Sequence, residues 1–230
     1  MKKISIKSSK GLFISGILHQ NETDTLIILV HGFKDNMNLF AYKQLSISLS
    51  KHYSVFRFTF PDVETNTDNF NLIDEVGYLN EVILYFSKKY KKIILVGGSL
   101  GALVCSITAA DNKKFDGLIT LNGFSYFWGI NKKFNKYLAL ILLTFPFNGP
   151  YAKMYKYYKK HFIPEKISVE TLVITSEKDE MINYKQSLKF FSSLTTNKKI
   201  EILKDADHGL TKIQYVNDVS KLIVNWLEKK

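Results

Sequence analysis

Gly97-Gly98-Ser99-Leu100-Gly101 is the stretch on which the reading of this chain turns. It follows an apolar run, Lys92-Ile93-Ile94-Leu95-Val96, and precedes a helix-forming one, Ala102 to Ala110. Strand, G-x-S-x-G, helix is the pattern of a nucleophile elbow, in which a serine on a sharp turn presents its hydroxyl beyond the sheet edge. Gly97 and Gly101, two before and two after it, let the strand and helix backbones pass close to the strained residue. A Gly-rich turn without chemistry has the same five letters, so the surrounding sequence must decide.

Outward from the elbow, strand-like and helix-like runs alternate. Ile4–Ile6 and Leu12–Leu18 read as a β-hairpin with Lys10-Gly11 at its turn. Thr25–Val30 is a continuous apolar run of the kind buried on both faces of a parallel sheet. Leu39–Leu49 has helical spacing, Ser54–Phe60 is a strand stopped by Pro61, and Leu72–Tyr90 is amphipathic, with Leu72, Val76, Leu79, Ile83 and Phe86 on one stripe. Ile93–Val96, Phe115–Leu121, Thr171–Thr175 and Lys199–Leu203 read as further strands, and Tyr184–Leu194 and Val216–Leu227 as helices. This alternation predicts an α/β class, with right-handed crossovers and a mainly parallel central sheet covered by helices on both faces, as one domain over residues 1–230. Phe124–Lys166 breaks the rhythm and is too long for an ordinary connection, so it is expected to form a short inserted helical cap.

Three features answer the elbow in a fixed chain order. Leu29-Val30-His31-Gly32-Phe33 carries a strand into an early loop of the kind that supplies an oxyanion hole with a backbone N–H. His31 and Gly32 are expected to orient this loop, while the N–H groups of Phe33 and Leu100 bind the oxyanion. Thr171–Asp179 is a strand running into an acidic loop, which places Asp179 at the edge where α/β sites form. Glu201–Leu210 is the last strand, a turn and His208; His19, His52 and His161 have no such placement. A serine hydroxyl becomes nucleophilic when an imidazole takes its proton, and a buried carboxylate holds that imidazole in the required tautomer. Ser99, Asp179 and His208 stand in the order this chemistry shows in α/β hydrolases. Asp207, adjoining His208, is read as bracing its loop; Asp205 and Glu177 are weaker rivals for the acid.

With Phe56-Arg57-Phe58, Asn69-Phe70 ahead of Asp74-Glu75, Ile182 three residues after Asp179, and Ala206-Asp207 before His208, these motifs make the chain resemble the α/β-hydrolase superfamily over nearly its whole length. Within it the chain resembles the small serine esterases of the cinnamoyl/feruloyl esterase and acylglycerol-lipase type. The resemblance implies an α/β-hydrolase fold and a serine hydrolase that cleaves small acyl or aryl carboxylic esters through an acyl-enzyme, without metal or cofactor. Its alternatives are a monoacylglycerol lipase or lysophospholipase working at membrane surfaces, a thioesterase, and a non-catalytic ligand-binding member. The chain departs from its relatives at Gly98, where many carry a side chain, at Ser176, where glycine is common, and in the loop Thr59–Thr65.

The chain has 230 residues, 46% of them hydrophobic, and a net charge of +11, enough apolar content for one full core. Its one cysteine, Cys105, excludes an internal disulfide, and the basic N-terminus never reaches the apolar length of a signal peptide; a cytoplasmic location is expected. Arg57 is the only arginine, which speaks against nucleic acid as partner. Residues 124–166 hold eight lysines against one acid, Glu165, together with thirteen aromatics, including Phe127, Trp128, Phe145, Phe147, Tyr155, Tyr157 and Tyr158. Aromatics among lysines suit a membrane interface, so peripheral contact of this cap with anionic lipid is expected; its plain alternative is a solvated cap whose rings pack on the body.

Overall fold

The computed structural model describes residues 1–64, 70–111, 114–123, 125–126 and 150–229. One sheet contains β1 (Lys2–Lys7), β2 (Phe13–His19), β3 (Thr25–Val30), β4 (Ser54–Thr59), β5 (Lys92–Gly98), β6 (Gly117–Leu121), β7 (Glu170–Ser176) and β8 (Lys198–Leu203). The spatial order is β1-β2-β4-β3-β5-β6-β7-β8. Strand β2 is antiparallel to β1 and β4, and every other pair is parallel. The described helices are α1 (Phe40–Leu49), α2 (Pro61–Glu64), α3 (Leu72–Phe86), α4 (Leu100–Asp111), α5 (Pro150–His161), α6 (Lys185–Ser193) and α7 (Ile213–Leu227), with a 3-10 turn at Pro164–Lys166.

The central strands read as continuous apolar runs because both their faces are covered. Alternate residues of β3 enter different cores: Leu26, Ile28 and Val30 join one with α3 and α4, while Ile27 and Leu29 join the other with α1 and α7. Strand β5 divides in the same way, Ile93 and Leu95 against Ile94 and Val96. On α7, Val216, Val219 and Ile223 recur at helical spacing and are all buried. Helix α3 is started by Asn71, whose side chain accepts the Ile73 N–H at 3.1 Å, with Asp74 in the first turn where the helix dipole favours a carboxylate.

Some boundaries differ from the sequence reading. Strand β4 ends at Thr59, one residue early, and Pro61 opens the unexpected short helix α2; proline's missing N–H is harmless in a first helical turn. Helix α3 stops at Phe86 with Ser87 as its C-cap, short of the expected Tyr90. Of the expected cap, Ser125, Tyr126 and the segment from Pro150 are described. Phe124 and residues 127–149, with Phe127, Trp128, Phe145 and Phe147, lie outside the described residues, as does Asn69. Among the described residues no helix is long and apolar enough to cross a membrane.

The chain leaves β3 for β4 on one side, then crosses back over β3 to β5 and proceeds to β8. The carboxyl ends of β3 and β5 therefore flank the point where the winding reverses, which is where open α/β sheets build ligand crevices.

Candidate active site

Ser99 stands between β5 and α4 at φ 52°, a left-handed conformation that costs an L-residue on the order of 1 kcal/mol or more. Its N–H donates to the Leu121 carbonyl at 2.9 Å, which ties the turn to β6. A Cβ on Gly97 would run into the backbone of Gly101, and one on Gly101 into the carbonyls of Val30 and His31. Strand, helix and the His31 loop thus converge too closely for any side chain at these two positions. Gly98 has a separate reason: a Cβ there would strike the hydroxyl of Tyr42, a buried α1 residue.

His208 joins the elbow from the loop after β8. Its Nε2 lies 3.0 Å from Ser99 Oγ and its Nδ1 2.7 Å from Asp179 Oδ2, with the Asp179 carboxylate 1% exposed. A carboxylate can only accept, so Nδ1 carries the proton and Nε2 offers its lone pair to the serine hydroxyl. The other oxygen of Asp179 accepts the N–H groups of Met181 at 2.8 Å and Ile182 at 2.7 Å, which fixes the carboxylate from its own loop. The rival acids are engaged elsewhere. Asp207 accepts the Thr211 N–H at 2.8 Å and the Thr211 hydroxyl, bracing the turn; Asp205 pairs with Lys178 at the surface, and Glu177 is exposed.

Asn122, which the sequence reading did not single out, locks these pieces together. At φ 45° just past β6, its Nδ2 donates to the carbonyls of Asp207 at 3.2 Å and His208 at 3.0 Å, and its Oδ1 accepts the Ser176 N–H at 2.8 Å. One buried amide therefore spans the histidine loop and the end of β7. A lone asparagine after a strand gives no signal for this, because both partners come from far along the chain.

The His31 loop is strapped from below. His31 Nδ1 donates to the Gly32 carbonyl at 2.8 Å and Nε2 accepts the Phe60 N–H at 3.0 Å; burial lowers its pKa to about 4. Arg57, buried on β4, donates from Nη1 to the Met37 carbonyl at 2.5 Å and to Asn38 Oδ1 at 3.1 Å, while the Met37 N–H reaches Thr59 Oγ1 at 3.1 Å. Gly32 abuts Ser99: a Cβ there would be 3.1 Å from Ser99 Cβ. Phe33 follows, its ring 40% exposed and edge-on to Phe70 at 5.1 Å. Leu100 opens α4, and the first N–H groups of a helix have no intrahelical acceptor. Asp35 also borders the crevice; burial raises its carboxyl pKa, while the nearby His208 and the Gly32 backbone N–H draw it the other way.

The model of the prolyl oligopeptidase family matches residues 74–230, a span that takes in Ser99, Asp179 and His208. The chain is similar over its whole length to solved structures of the α/β-hydrolase fold. Mouse alpha/beta hydrolase domain-containing protein 10 is 17% identical, with a TM-score of 0.76 and coverage of 100% of this chain and 99% of that one. Est1E from Butyrivibrio proteoclasticus is 17% identical, with a TM-score of 0.76 and full coverage of both chains. An esterase from Pyrococcus furiosus is 18% identical, with a TM-score of 0.75 over 99% of this chain and 90% of that one. No curated protein matches at a comparable level.

Proposed function

The chain belongs to the prolyl oligopeptidase family of serine hydrolases, and from that premise we propose that it hydrolyses carboxylic esters, of small acyl or aryl groups, through an acyl-enzyme on Ser99. The observation that carries this reading is the unbroken hydrogen-bonded line from Asp179 through His208 to Ser99 at the carboxyl edge of the sheet. As Ser99 Oγ attacks the ester carbonyl, His208 Nε2 takes the hydroxyl proton and Asp179 stabilises the imidazolium. The tetrahedral oxyanion is met by the N–H groups of Phe33 and Leu100. The leaving alcohol departs with the proton from His208, and a water activated by the same nitrogen then frees the acid. Est1E has been seen with ferulic acid bound, which supports an ester with an aryl acyl group in preference to a peptide.

p-Nitrophenyl esters of graded acyl length test the proposal. Hydrolysis should fall by about a thousandfold or more in Ser99→Ala. Activity that survives this substitution, or cleavage of prolyl peptides with none of esters, removes the reading.

A second reading, action on monoacylglycerols or lysophospholipids at a membrane surface, is favoured by the outer face of α5. Lys153, Tyr155, Lys156, Lys159 and Lys160 are exposed there, and Phe33, Leu39 and Phe40 are exposed around the oxyanion loop. Co-sedimentation with vesicles of anionic lipid but not of neutral lipid is the expected result; equal, negligible binding to both sinks it.

A further inference from the structure

Asp35 is a carboxyl group beside the nucleophile that no step above uses. Its Oδ2 and the Oγ of Ser99 lie 3.0 and 3.5 Å from one point, the place in front of Gly32 where a Cβ would stand. Both groups therefore flank Gly32, and the carboxyl oxygen stands within about 6.5 Å of the serine hydroxyl, near enough to act on the charge of a substrate bound there. The turn that contains Asp35 is capped by its neighbour, since Asn36 Oδ1 accepts the Asn38 N–H at 2.8 Å. Asp35 is partly exposed and adjoins a triad whose other close acid, Glu180, accepts the His208 N–H at 3.1 Å. Lys178 pairs with Asp205, and Lys34 lies over the Phe33 ring at 5.7 Å. Asp35 thus sets a carboxyl group beside Ser99 in a chain of net charge +11.

We propose that Asp35 is a specificity-determining residue that selects substrates carrying a cationic group within a few ångströms of the scissile carbonyl and disfavours anionic ones. This rests on the reading of Ser99 as nucleophile. A purely structural Asp35 would affect neutral and charged substrates alike, whereas a carboxylate facing the bound substrate separates them.

The test uses two alkanesulfonyl fluorides of nearly equal shape, 2-aminoethanesulfonyl fluoride and propane-1-sulfonyl fluoride, on the whole protein at about pH 6, above the ordinary carboxylate range and low enough to keep the amine, made acidic by the sulfonyl group, as ammonium. Ser99 Oγ attacks sulfur, the S–F bond breaks, fluoride leaves and His208 takes the hydroxyl proton, so the rate is read as adduct mass on Ser99. Dividing each variant's ratio of ammonium to propyl reagent by that of another cancels the reagents' own reactivities. The ratio should be about tenfold higher in the wild type than in Asp35→Asn, with Asp35→Glu retaining most of it. In the wild type alone, about 0.5 M salt should compress the ratio, a measurement that needs no variant to fold. Equal ratios in wild type and Asp35→Asn, or no effect of salt, overturn the proposal. If the propyl reagent labels Ser99 while the ratios are equal, the nucleophile stands and only the role of Asp35 falls; if Ser99 takes neither reagent, both fall.

Discussion

Acidifying the protein from about pH 7.5 to about pH 5 should destabilise it through His31 in particular. Both ring nitrogens of this buried imidazole are committed with a single proton between them: Nδ1 donates to the Gly32 carbonyl, and Nε2 accepts from the Phe60 N–H. A second proton would point at another N–H, and the ring, 2% exposed, is shut off from bulk solvent, which is why burial takes the pKa from 6.5 to about 4. In the unfolded chain the imidazole protonates normally. Its contribution is therefore fully present above the unfolded value and is lost as pH falls from there toward 4, because only the unfolded state takes up the proton. The loss is about 2 kcal/mol at pH 5 and approaches about 3 kcal/mol below pH 4. Glu75 acts in the opposite sense, since burial raises its pKa well above the usual value and the folded state gains a proton first. Urea unfolding of wild type and His31→Gln at both pH values separates the two. The wild type should lose about 2 kcal/mol more than the variant on acidification. An equal loss in both proteins would refute the reasoning, whatever the variant's stability at neutral pH.

Other outcomes follow from individual contacts. Asp179→Asn keeps an acceptor for the Met181 and Ile182 N–H groups but loses the charge that orders His208, so ester turnover should drop by about 10³–10⁴ with little change in unfolding free energy; a drop of less than tenfold would argue against Asp179 as the acid. Asn122→Ala leaves the Asp207 and His208 carbonyls and the Ser176 N–H unpartnered, and should cost about 1–3 kcal/mol in urea melts together with a fall in kcat; unchanged kcat would mean that it does not hold the histidine loop. Gly98→Ala should destabilise by about 1–3 kcal/mol through collision with the Tyr42 hydroxyl, and adding Tyr42→Phe should restore part of the loss; failure of that rescue in thermal melts would exclude the collision as cause.

How much of this was legible in the sequence depends on the range of the interaction involved. The central strands and the elbow are written locally, as apolar runs and as glycines at fixed offsets, and they lie where those patterns put them. The order Ser99, Asp179, His208 added long-range information only because each residue follows its own strand, so that a parallel sheet delivers all three to one edge. Asn122, the Arg57 strap beneath the His31 loop and the match of Gly98 to Tyr42 were not readable. Each depends on which strand lies beside which, and β4 sits next to β2 and β3 for reasons that no local pattern states. Helix α3 illustrates the weakness of boundaries: its apolar stripe ends with Phe86, yet the Tyr90 N–H still bonds to the Phe86 carbonyl, so the chain keeps turning after the helix has ended.

A serine held at φ 52° is a residue the fold itself would do better without. Glycine adopts that conformation freely, so Ser99→Gly should melt higher than Ser99→Ala, which removes the hydroxyl but keeps the backbone strain; the gap, about 0.5–1 kcal/mol after glycine's extra disorder in the unfolded chain, is the thermodynamic burden of carrying a side chain on this turn. Position 99 is then a place where evolution is pulled two ways. A copy of this protein freed from catalytic duty would drift downhill toward glycine, and a copy selected for turnover must draw its stability from elsewhere in the sheet.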